Sequence, residues 1–315
     1  MARRGPGTAV VVGVDGTSGA LDATAWAARE ARLRRQPLRI VHALLCPGCP
    51  DDPPRAYQIV DRAVRKARTT APGIEVRVDV ETAEPLEMLE RESGIASVVV
   101  LGPPGPGGLT RRVVESAGGL AAGTLAPLVV VPELPPPDRD PAIAVLVDTT
   151  SSGVMAMVAA VAAAARRRVR VRAVRVPDPG ESAIESTATL DALLRRARSA
   201  YPEVDIDTQV AVGRPVRVLA DLSDQVELVV VGAREFGPDS ALALGAVRQS
   251  LLGLARCPVM FVPARLAPSG HRRIRPAATA WPQSRGSGVS GRADHAVGSD
   301  PVGTARLVGL GSESA

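Results

Sequence analysis

Two glycine-bearing loops offer the clearest chemistry in this sequence. The first reads Gly102-Pro103-Pro104-Gly105, then nine residues, then Glu115-Ser116. The second reads Gly232-Ala233-Arg234-Glu235, then nine residues, then Gly245-Ala246. Each follows an apolar run, Val98 to Leu101 or Leu228 to Val231, with the composition of a parallel strand buried on both faces. Glycine at such an exit lets backbone N–H groups close on a phosphate, at a helix start whose dipole favours anions. The competing reading is that these glycines only shape tight strand–helix turns. Two aspartates accompany the loops: Asp15 after Val11-Val12-Gly13-Val14, and Asp148 after Val145-Leu146-Val147. Either can cap the helix that follows it.

Other reactive types are sparse. Cys46-Pro47-Gly48-Cys49 is a CxxC, but Pro50, Asp51, Asp52, Pro53 and Pro54 follow it, so it lies in a loop. A redox pair normally opens a helix, which lowers the first thiol's pKa. No second CxxC or His pair completes a zinc site, so no metal centre is expected. Cys257, just before an apolar run, reads as core. His42 sits mid-strand among apolar neighbours and is the one histidine before the tail. No Ser–His–Asp set is therefore supported, Lys66 is not in a phosphate-binding lysine loop, and no enzyme is expected.

The elements that would position these residues occur twice. The run ending at Asp15 returns as the run ending at Asp148. Val98 to Gly102 returns as Leu228 to Gly232, and Ala126-Pro127-Leu128-Val129-Val130-Val131-Pro132 as Cys257-Pro258-Val259-Met260-Phe261-Val262-Pro263. Three landmarks in one order mean two copies of one domain. Patterning predicts strands over 9–14, 38–44, 75–80, 98–101 and 128–131, with helices over 19–35, 56–69, 86–92 and 109–122. Thr17 or Ser18 is the expected cap of the first helix. In the second copy the strands fall over 143–147, 169–176, 204–210, 228–231 and 259–262. Its helices run from a Ser151 or Ser152 cap to Arg166, then over 191–200, 216–225 and 242–254. Alternating strands and helices mean βαβ units and a parallel sheet, with any ligand at its carboxyl edge. The expected division is 8–132, a Pro-rich linker over 133–141, 142–263, and a disordered tail over 264–315 without apolar periodicity.

The formal net charge is +5, but seven arginines and three acids follow Ala264, so the body is nearly neutral. A basic face for nucleic acid is therefore not expected on the folded body. The longest uncharged apolar stretch, 154–165, is too short to span a membrane. Three cysteines make no disulfide framework, and residues 1–14 lack a signal core; the expectation is a cytoplasmic protein.

Taken together, Gly13-Val14-Asp15-Gly16-Thr17, Val229-Val230-Val231-Gly232-Ala233-Arg234 and the order of landmarks resemble the universal stress protein (UspA) family over residues 8–132 and 142–263. That family carries Gly-x2-Gly-x9-Gly-Ser/Thr after its fourth strand and an Asp at the end of its first. The resemblance implies an α/β fold of two tandem Rossmann-like domains, of the HUP or adenine-nucleotide alpha-hydrolase-like kind. Each would be a five-stranded parallel sheet flanked by helices. It implies a stress-response module that binds ATP, with Mg as a possible companion. It also implies pairing of the copies through their last strands as an intramolecular pseudo-dimer, with a further homodimer possible. In ATP-binding members the glycine loop wraps the phosphates and the first-strand Asp lies near the nucleotide. The matching positions are Val14, Asp15, Gly16, Leu101, Gly102, Gly105 and Ser116 in the first copy, and Asp148, Gly232 and Gly245 in the second. Ala43 and Val176 match the position that touches adenine.

Both copies depart from the pattern. Glu115 stands at the third glycine of the first loop, and counting back from Pro127 shifts the register at Ser116 by one. Pro103, Pro104 and Pro106 have no N–H to donate, with Thr110, Arg111 and Arg112 available to compensate. In the second loop Glu235 replaces a glycine, Ala246 replaces the hydroxyl, and Glu235 and Asp239 would repel a polyphosphate. The first copy is thus the better nucleotide candidate. The alternative is an interaction scaffold with degenerate loops.

Overall fold

Short β-branched runs set the framework. The computed structural model describes residues 9–44, 53–103, 125–133, 141–148, 150–177, 183–232 and 251–264. The order in the first half is β1 (Ala9–Gly13), α1 (Ser18–Arg34), β2 (Leu38–Leu44), α2 (Pro53–Thr70), β3 (Val76–Thr82), α3 (Pro85–Ser93), β4 (Ala96–Leu101) and β5 (Leu128–Val130). The second half follows with β6 (Ala142–Leu146), α4 (Ser151–Arg167), β7 (Arg170–Arg175), α5 (Ala183–Ala200), β8 (Ile206–Val210), α6 (Pro215–Ser223), β9 (Leu228–Gly232) and β10 (Val259–Val262). Strands β1, β4, β6 and β9 are buried at every position, which is why they read as continuous apolar runs. Their side chains still alternate between two layers. Val10 and Val12 join the core under α1 and α2, whereas Val11 joins Met88 and Leu89 of α3.

All the described strands form one ten-stranded sheet, in the order β3-β2-β1-β4-β5-β10-β9-β6-β7-β8. Pairing is parallel within each half and antiparallel between β5 and β10. Val129 lies opposite its own counterpart, Met260, so the joint is symmetric about that rung. The last strands, expected to hold the two copies together, are the central pair of the sheet.

The halves share small devices as well as strands. Ser93 Oγ donates to the Glu90 carbonyl at 2.6 Å and accepts from Leu125 N at 3.2 Å. Ser223 Oγ does the same with Ala220 and Arg256, at 2.6 and 2.9 Å. Each serine satisfies a carbonyl near a helix end and holds the segment that leads to the last strand. Helices α1 and α4 both end in a left-handed arginine, Arg35 at φ 54° and Arg168 at φ 59°. Glycine is the usual choice there.

Two expectations change. The α4 cap is Thr150, not Ser151 or Ser152: its Oγ1 accepts from Gly153 N at 3.0 Å, and the serines are already helical. Thr17 is the cap of α1, accepting from Ala20 N at 3.2 Å. Helix α5 begins at Ala183 rather than 191, because burial of Leu190 and Leu194 outweighs the weak propensity of Ser186, Thr187 and Thr189. The expected helix over 109–122, the linker over 134–140, most of 242–254, Cys46, Cys49 and the tail beyond Ala264 lie outside the described residues. Cys257 is buried, as expected of a core residue. Among the described residues no helix is long and apolar enough to cross a membrane.

Candidate nucleotide site

In each half the crossovers leave the first strand in opposite directions. Strand β1 lies between β2 and β4, and β6 lies between β7 and β9. Loops at the carboxyl ends of such neighbours diverge and leave a crevice. The topology brings Val14, Asp15, Gly16, Ala43, Leu101 and Gly102 to one such edge, and Asp148, Val176 and Gly232 to the other. Asp15, Gly16, Ala43, Asp148 and Val176 are half-buried; Val14, Leu101, Gly102 and Gly232 are buried. Gly105, Ser116, Gly245, Glu115, Thr110 to Arg112, Glu235, Asp239 and Ala246 lie outside the described residues.

The aspartates have a structural duty, though neither is itself the cap. Asp15 Oδ1 accepts from the Thr17 amide at 3.1 Å and from its hydroxyl at 2.7 Å. Asp148 Oδ1 does the same for Thr150, at 2.7 and 2.5 Å. Each carboxylate thus orients the threonine that caps the next helix, and adds negative charge beside the helix's positive end. Gly16, at φ +86°, makes the turn between Asp15 and Thr17 in a conformation side chains rarely adopt.

Gly102 serves packing directly. A Cβ there would lie 2.8 Å from Gly19 C and 2.9 Å from Ala20 N. The exit of β4 therefore touches the backbone of the first turn of α1, and no larger residue fits without moving it.

His42 was read from sequence as a core or edge residue, and it is buried. Its Nδ1 lies 2.7 Å from the Val14 carbonyl, which only accepts, so Nδ1 is the donor. In the neutral ring Nε2 is then an acceptor, and it is buried without a partner among the described residues. Arg175 takes the same place in the second half and is also buried. Beside this edge, Val14, Gly16, Thr17, Ala20, Ile59 and Arg62 help line a small, partly open recess. Among the described residues no three His, Cys, Asp or Glu side chains converge as a metal site would require.

Comparison with known proteins agrees with this architecture. The model of the universal stress protein family matches residues 8–132 and again 141–263. Universal stress protein Rv2028c of Mycobacterium tuberculosis is 31% identical over 270 residues, spanning 80% of this chain and 95% of that protein. Universal stress protein Rv2005c of the same organism is 31% identical over 287 residues, with the same coverage. A crystal structure of a universal stress protein from Archaeoglobus fulgidus shares the fold at TM-score 0.61 and 14% identity, over 81% of this chain and 96% of that one. Two tandem matches, full-length relatives and a sheet built twice on one plan lead to one conclusion: the chain belongs to the universal stress protein family.

Proposed function

We propose that this chain is a non-enzymatic, cytoplasmic stress-response module that binds ATP in its first half in preference to its second. One observation carries the preference. The first glycine loop keeps Gly102 and Gly105, whereas the second has Glu235 in place of its second glycine, Asp239 four residues on, and Ala246 at the hydroxyl position of the motif. One carboxylate near a triphosphate costs on the order of 1 kcal/mol, several-fold in affinity. The described residues of the first edge fit a nucleotide. Asp15, Gly16 and Ala43 are partly open, and His42, bonded to the Val14 carbonyl, has a buried Nε2 without a partner among the described residues. Asp15 and the Gly102–Gly105 loop would hold the ligand, and a companion Mg²⁺ would rest on its phosphates.

The second reading is a nucleotide-free interaction scaffold. The contact between Gly102 and α1 favours it, since that contact accounts for the glycine without any ligand. Titration calorimetry with MgATP separates the two. The expected result is one site in the wild type, lost in Gly105→Glu, with a second site gained in Glu235→Gly. Two equal sites would overturn the preference. No heat, together with no co-purified nucleotide by mass spectrometry, would leave the scaffold.

A further inference from the structure

Helices α1 and α4 are built on one frame. Each has 17 residues, follows Asp-x-Thr and ends in a left-handed arginine. Position by position, Trp26 answers to Ala159, Glu30 to Ala163 and Arg34 to Arg167. The bulky and acidic residues are on α1; their counterparts on α4 are alanines.

The C-terminal parts of the two helices meet between the halves. The Glu30 side chain is wholly buried, and Arg34 of its own helix donates to it at 2.5 Å. Arg167 of α4 donates to the other carboxylate oxygen of Glu30. The Arg167 guanidinium also lies 5.8 Å from the centre of the Trp26 ring and 3.2 Å from Glu227. Burial alone would raise the Glu30 pKa, but Arg34, Arg167 and Arg166 outweigh it and hold the carboxyl below its ordinary range. Arg166, desolvated and crowded by Arg34, is lowered to about 10. One acid thus serves two arginines that are each other's counterparts.

This arrangement works only between unlike halves. Two first halves joined this way would bring two Glu30–Arg34 pairs and two Trp26 rings to a place built for one of each. Two second halves would bring Arg166 and Arg167 twice, facing no buried acid and only the half-exposed Glu227 of each half. The first pairing is crowded by bulk that α4 does not carry, and the second leaves buried guanidinium charge short of a buried acid, so it keeps much of its desolvation penalty. We propose that Glu30 opposite Ala163 is a pairing code. It makes the joining surface of each half specific for the unlike half, so the partner that fits is the other half of this chain and not a second copy of the same half. Discrimination comes from what is refused as much as from what is bound.

The full-length chain can imitate each case. Ala163→Glu reproduces the two-acid pair and Glu30→Ala the pair without acid. Glu30→Ala with Ala163→Glu moves the acid to α4, one turn before Arg167 and facing Arg34. Thermal unfolding is expected to show each single variant lowered by on the order of 5–10 °C. The double variant should regain at least half of the Glu30→Ala loss. Glu30→Ala with Ala163→Gln, similar in bulk but uncharged, should regain none. If Ala163→Glu alone fails to fold, Glu30→Ala against the two double variants decides. A double variant no more stable than Glu30→Ala, or equal recovery with glutamine, overturns the proposal.

Discussion

The first turns of α1 and α4 meet the same requirement with different neighbours. In both, an Asp two residues upstream holds a threonine, and the threonine hydroxyl takes a backbone N–H of the first turn. The packing around that device differs. In α1, Gly19 lies against Pro103, where a Cβ would come within 2.3 Å of its Cδ, and Gly102 lies against Gly19. In α4, buried Ser152 replaces Gly19, and the glycine has moved one place to Gly153, under Asp148 Oδ1 at 2.0 Å from a built Cβ. The N–H groups of a helix start need partners whatever surrounds them. Which atoms press on the turn is open to variation, so the caps are preserved in both copies while the glycines shift.

Three experiments would break or sharpen that contrast. Gly102→Val should have the largest effect. Its side chain would meet backbone rather than a flexible tip, and denaturant unfolding should show a loss of about 2–3 kcal/mol. A loss under about 1 kcal/mol would mean that α1 can shift away from β4, and that the two first turns are less different than they look. Next come Thr17→Ala and Thr150→Ala. Each should lose about 1 kcal/mol, and the two should agree within a few tenths. Unequal losses in the same assay would show that the shared device is shared in geometry alone. Smallest is the gain on Arg35→Gly and on Arg168→Gly, about 0.5 kcal/mol each, from relief of a left-handed conformation. A loss at either site would reveal a side-chain contact stronger than that relief.

What could be read from the sequence follows the range of the interactions. Val98 to Leu101 announced a buried parallel strand because burial on both faces leaves no polar position, and the repeat of that run announced the second copy. The joining of last strands came from family resemblance, and only the register, with Val129 on Met260, fixes its symmetry. The α4 cap was misplaced because three adjacent hydroxyls, Thr150, Ser151 and Ser152, have equivalent local chemistry; the deciding partner is Asp148, two residues before the true cap. The same Asp-x-Thr spacing at Asp15 and Thr17 was the available signal. The packing duty of Gly102 was not legible, because its contact with α1 is tertiary. Glu30 gave no local signal, since its second arginine lies 137 positions away. Comparing the two helices residue by residue, Glu30 against Ala163, would have singled it out.

The antiparallel joint between β5 and β10 has an electrostatic consequence. Every described helix follows a strand of its own half, so its amino end lies at that half's carboxyl edge. Within one half the helix dipoles add and make that edge positive. Because the central strands run in opposite directions, the two positive edges lie on opposite rims of the sheet. The described helices of the two halves therefore form a quadrupole: their far field largely cancels, so a distant charge feels little of it. At contact range each rim keeps its own pull on an anion. The helix dipoles thus give neither rim an advantage over the other.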